Sequence, residues 1–102
     1  MYKIKFVSKA ERQLKKLTKK NKPLAVKFKD SIEKLSKNPY QEAKVGDLKE
    51  VWGYGFRLNK TDYRIAYIII EKEVTIFIIG VGTRENFWQR IKNYWNKNNF
   101  NN

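Results

Sequence analysis

Two apolar runs lie almost back to back: "IAYIII" from Ile65 to Ile70 and "TIFIIGVG" from Thr75 to Gly82, with Glu71, Lys72, Glu73 and Val74 between them. Both are rich in β-branched and aromatic residues and apolar on either face of an extended chain, which is the pattern of central or doubly covered strands. A chain of 102 residues has one core to offer. The remaining segments must therefore cover both faces of this hairpin. Neither run approaches the ~20 apolar residues of a membrane span. The opening "MYKIKFVSKA" alternates apolar and basic residues instead of forming a signal-peptide block. A cytoplasmic protein with no membrane partner is expected.

The covering elements can be read in order. Tyr2, Ile4 and Phe6 alternate with Lys3, Lys5 and Val7, the period of a strand with one wet face. Ser8 and Glu11 have capping-box spacing, so a helix starts there, with Ala10, Leu14 and Leu17 as its apolar stripe. After a break at Asn21 and Lys22, Pro23 suits the first turn of a second helix, which buries Ala25, Phe28, Ile32 and Leu35 and stops at Asn38-Pro39. Tyr40 to Leu48 reads as a loop. "VWGYGFRL", Val51 to Leu58, places Tyr54, Phe56 and Leu58 on one face and Gly53, Gly55 and Arg57 on the other. A last amphipathic helix runs from about Glu85 to Trp95, and residues 96 to 102 form a frayed tail. The expected fold class is α+β in one domain spanning 1–102. Its order is an N-terminal strand, a two-helix antiparallel hairpin, a three-stranded antiparallel meander and a C-terminal helix.

Charge narrows the function. The net charge is +13, and between Glu11 and Asp30 stand eight basic residues and no acid. Such a field attracts a phosphate backbone or an acidic protein, although it also serves plain solubility. Lys15, Lys16 and Lys19 on the first helix are the nucleic-acid-binding candidates there. With no cysteine and no histidine, thiolate metal sites and the usual general base are both excluded.

Arginine is scarce, five against 18 lysines, yet Arg57, Arg64 and Arg84 all fall in or just after the strand region. Arginine on a strand of a lysine-rich chain marks a position where a planar fork can hold carboxylate or phosphate. Pairing with Asp62 or Glu85 at the surface is the plainer alternative for any one of them. If Glu71 to Glu73 is a three-residue loop, Ile70 opposes Val74 and Arg64 opposes Gly80; a two-residue loop would set Arg64 opposite Ile79. In either register Arg84 reaches the same site only if the chain turns back at Gly82. Trp52, Trp88 and Trp95 read as core or partner-binding anchors before base-stacking platforms.

The basic first helix, "NPY", "GFRLNKTDYRIAY", the acidic turn and "VTIFIIGVGTREN" together resemble the RelE/ParE superfamily of type II toxin–antitoxin toxins, from Tyr2 to about Trp95. "DYRIAY" and "GVGTRE" are the most specific parts, and "GVGTRE" is most similar to RelE. The resemblance implies the RelE-like microbial ribonuclease fold. It implies a metal-independent, cofactor-free endoribonuclease that cleaves mRNA in the ribosomal A site, the 2′-hydroxyl attacking the adjacent phosphate, and so inhibits translation. It also implies a RelB-like antitoxin that covers the basic face and displaces or occludes the C-terminal helix, in a toxin–antitoxin hetero-oligomer.

By the same resemblance, Arg64 and Arg84 match the family's phosphate-stabilising arginines, and Arg57 matches the second of two strand lysines, the one serving as base. A guanidinium keeps its proton, so the role of Arg57 becomes electrostatic. Gly55 stands where the first lysine would be; Lys60 or Lys44 could supply an ammonium in its place. The family's stacking tyrosine falls on Arg90 in an ungapped reading, leaving Trp88 and Tyr94 as the aromatic candidates. A ParE-like inhibitor of DNA gyrase, needing no RNA-cleaving residues, and a degenerate toxin that only binds antitoxin are the alternatives.

Overall fold

The computed structural model describes residues 1–41, 48 and 50–95. Most of the expected loop, including Lys44, and the expected tail at 96–102 lie outside the described residues. The elements run β1 (Lys3–Phe6), α1 (Ser8–Thr18), α2 (Lys22–Lys37), β2 (Trp52–Leu58), β3 (Thr61–Ile70), β4 (Thr75–Thr83) and α3 (Phe87–Trp95). The sheet order is β1-β4-β3-β2, with β1 parallel to β4 and the other neighbours antiparallel. This is the expected α+β fold.

Both faces of the hairpin β3–β4 are covered, as its composition demands. On one face α1 and α2 bury Ala10, Leu24, Phe28 and Leu35 against Ile65, Tyr67, Ile76 and Ile78. On the other, Phe87 and Ile91 of α3 pack with Leu48, Val51, Ala66, Ile68 and Ile79. Each fully buried large side chain contributes about 1.5–3 kcal/mol, so the two layers make the middle strands the most firmly held part of the chain.

Local signals were met with two exceptions. Asn21 caps α2, accepting from the Leu24 amide at 3.2 Å, and Pro23 sits in its first turn. Asn59 and Lys60, at φ 50 and 69, make a two-residue turn whose twist matches that of the β2–β3 hairpin. The capping box does not form: Ser8 is already helical, and Val7 is the N-cap without a side-chain cap. The cause is β1, because the Val7 amide is held by the Ile78 carbonyl at 3.0 Å and the helix starts directly where that pairing stops.

The second exception is the hairpin register. Glu71–Glu73 forms a 3₁₀ turn and Val74 follows it in the left-handed region, so Ile70 pairs with Thr75 and not with Val74. Ile79 is then an extra residue between the pairs Tyr67↔Ile78 and Ala66↔Gly80, a β-bulge. Each irregularity moves the register by one, and Arg64 ends opposite Gly82 instead of Gly80 or Ile79.

Two tyrosines tie the turn at Glu71 to the rest of the molecule. Tyr2 donates to Glu71 Oε1 at 2.9 Å and Tyr40 donates to Oε2, joining the start of β1, the 3₁₀ turn Pro39–Gln41 and the β3–β4 connection. Nearby, the buried Tyr67 hydroxyl donates to the Pro39 carbonyl at 2.8 Å.

Candidate functional site

Strand alternation assigns the site to the face opposite α1 and α2. Tyr54, Phe56 and Leu58 pack toward the helices, which leaves Gly53, Gly55 and Arg57 on the other face. The register places Asp62 opposite Arg57 and Arg64 opposite Gly55, so these residues share that face. Arg84 lies one residue beyond β4, and its amide continues the ladder by donating to the Asp62 carbonyl at 2.8 Å. No reversal at Gly82 is needed. With Arg64 opposite Gly82, Arg84 stands only two residues away, ~7 Å along the strand.

Asp62 is the centre of the cluster. Arg57 Nη1 lies 3.3 Å from its Oδ2, and Arg84 Nη1 lies 3.6 Å from the same atom. The two arginine side chains are 63% and 70% exposed, so these ion pairs are each worth at most about 1 kcal/mol. Guanidiniums held this weakly can leave the carboxylate for a phosphate that engages both prongs of a fork.

Arg64 is held differently. Its cross-strand neighbours are Gly55 on β2 and Gly82 on β4. A Cβ at Gly55 would collide with Arg64 Nη1 and lie 3.2 Å from its Cζ, so the guanidinium lies across the bare backbone of β2. Among the described residues it makes no hydrogen bond or ion pair. Beyond Gly82, on the side away from Gly55, Arg90 Nη1 donates to the Glu85 carbonyl at 2.7 Å, and its Nη2 lies 3.1 Å from where a Gly82 Cβ would be.

Arg57, Arg64 and Arg84 are therefore brought together, and the remaining candidates are dispersed. Lys60 is exposed at the tip of the β2–β3 turn. Trp88 is half-buried and packs edge-to-face on Phe87, centroids 4.8 Å apart. Tyr94 packs over Gly80, donates its hydroxyl to the Ile79 carbonyl at 2.6 Å and carries Lys9 Nζ 4.4 Å above its ring. Burial pushes its hydroxyl up to about 12. Lys15 and Lys16 on α1 and Lys19 at its C-cap are exposed, and of these Lys16 lines a cleft with Gln13, Gly82, Thr83 and Arg90. Asp62 was named from sequence as the plainer surface partner, and the structure forms that pair with both Arg57 and Arg84; its place at the centre of the cluster, and Arg90 over Gly82, were not singled out. The Arg57↔Asp62 pair across a two-residue turn was the available signal for the first; for Arg90 no local pattern shows that its fork returns over Gly82.

The arrangement is a basic sheet face: Arg57 and Arg84 on one carboxylate, Arg64 across Gly55, and Arg90 beyond it over Gly82. Residues 4–92 match the family described as ParE-like toxin of type II bacterial toxin-antitoxin system, and the chain belongs to that family. Among solved structures it is similar to the toxin of the intact RelBE toxin–antitoxin complex of E. coli, at 26% identity and a TM-score of 0.68, covering 83% of this chain and 99% of that one. It is also similar to a chain of the RelBE2 toxin–antitoxin complex from Mycobacterium tuberculosis, at 27% identity and a TM-score of 0.63, covering 81% and 98%. A free double arginine-to-alanine mutant of E. coli RelE shares the fold at 24% identity and a TM-score of 0.71, covering 94% of this chain and 95% of that one. No curated protein matches the sequence.

Proposed function

We propose that this RelE-type toxin is a ribosome-dependent endoribonuclease, cleaving mRNA in the A site and held inactive in the cytoplasm by a RelB-like antitoxin. The observation that carries the reading is the convergence of Arg57, Arg64 and Arg84 on one sheet face, with Arg57 and Arg84 exposed and Arg64 lying across the side-chain-free Gly55. In this reading Arg64 and Arg84 neutralise the charge that develops as the 2′-hydroxyl attacks the adjacent phosphate. Arg57 leaves Asp62 to hold the same group in line. The chain has no histidine, so charge neutralisation and positioning carry the rate. The antitoxin is an acidic or amphipathic segment that covers the basic face and displaces or occludes α3.

The test is to induce the protein in cells and map message ends by primer extension. New cleavages within A-site codons should appear, and Arg64→Ala and Arg84→Ala should each reduce them about 10²- to 10³-fold, as expected for removal of one preorganised charge-stabilising group. Intact messages together with an induced DNA-damage response would overturn this in favour of a ParE-like gyrase inhibitor. That second reading is favoured by one observation: Gly55 carries no side chain where RelE-type chemistry expects an ammonium.

A further inference from the structure

We propose that the cleft between α1 and α3 is a second phosphate-binding track, which takes the backbone of single-stranded RNA as it leaves the arginine face. The proposal rests on the nucleic-acid reading above and extends it from the three arginines to the neighbouring cleft, joining Lys16 to Arg90 and Lys9. Two adjoining hollows, of about 510 and 260 Å³, share Gln13 and Arg90. Between them they present Lys9, Lys16 and Arg90 and no acidic residue. Lys9 and Lys16 stand two helical turns apart on α1, ~10 Å, room for more than one phosphate.

Three details identify the occupant. First, Arg90 is fixed: with Nη1 held by the Glu85 carbonyl, Nη2 lies over Gly82, the residue directly opposite Arg64. A strand bound at Arg64 thus meets a positioned cation one sheet strand away. Second, β1 ends at Phe6, and the edge of β4 beyond it is already served by side chains. Gln13 Oε1 accepts from the Val81 amide at 3.0 Å, and Tyr94 donates to the Ile79 carbonyl at 2.6 Å. An added peptide strand would find these backbone groups taken, whereas a phosphate backbone does not need them. Third, Lys9 covers the Tyr94 ring, so the contact offered is charge and not stacking.

Binding of the full chain to a short fluorescein-labelled single-stranded RNA, followed by anisotropy over a sodium chloride series, tests this. The slope of log K against log salt should become less negative by about 0.7 for each cation removed in Arg90→Gln and Lys16→Gln, and the double variant should bind about tenfold more weakly at low salt. A charge-matched control, Lys37→Gln with Lys72→Gln, should leave the slope unchanged. Arg90→Lys should retain it, which keeps the test valid if Arg90→Gln unfolds. The proposal falls if the cleft variants behave like the control pair, or if they lose binding to an acidic peptide while keeping RNA. Message cleavage that needs Arg64 and Arg84, with unchanged slopes at Arg90 and Lys16, would retain the nuclease and remove the track. A reduced slope without any message cleavage would retain the track and remove the nuclease.

Discussion

At the scale of single residues, the bare backbone at Gly55 is what allows Arg64 to lie flat across β2. A side chain at this position would have to share its space with the flexible end of Arg64. Gly55→Lys should lower message cleavage by at least tenfold instead of raising it, because any Cβ there displaces the Arg64 guanidinium; primer extension reads the result. Asp62→Asn is expected to act oppositely on function and stability. It frees Arg57 and Arg84 for anions, so RNA affinity at low salt should rise a fewfold, while the unfolding free energy in urea changes by no more than about 2 kcal/mol, at most about 1 for each exposed ion pair. The three site arginines were visible in the sequence from their scarcity and placement. Their mutual geometry was not, since it depends on a left-handed Val74 and an extra Ile79, and neither residue type announces such a conformation.

At the scale of elements, the sheet's middle strands carry the stability and also anchor the segment after α2. Tyr67 is fully buried and its hydroxyl meets the Pro39 carbonyl, so Tyr67→Phe would leave that acceptor without this donor. It should cost about 1–3 kcal/mol in chemical denaturation without moving the arginines. The strands, the two-helix hairpin and α3 were legible because hydrophobic period and turn chemistry act locally. The start of α1 was legible but its cap was not: tertiary pairing of Val7 with β4 overrode the Ser8–Glu11 signal. The same limit applies to Tyr94, whose aromatic character was plain while its use as a plug on the edge of β4 required knowing where β1 ends.

At the scale of the whole molecule, the clamp of Tyr2 and Tyr40 on Glu71 gives stability a pH dependence with two limbs. Hydrogen bonds from Tyr40 and then Tyr2 hold the Glu71 carboxyl below its ordinary value of 4.5. Its contribution is therefore present above that value and lost as pH falls through the lower folded value. The same bonds raise both tyrosine hydroxyls above 10.0, so their contribution is complete below that pH and lost as the solution becomes strongly alkaline. Urea midpoints of the native chain should fall on both sides, and Glu71→Gln should flatten the acid limb.

The parallel pairing of β1 with β4 also sets an order of events during synthesis. The first strand to emerge can find its neighbour only after Thr75 to Ile78 have been made, a long-range closure that also makes folding slow. Arg84 follows that same late strand. The arginine face is thus complete only once β4 and Arg84 have been made, so no shorter nascent chain carries the assembled site.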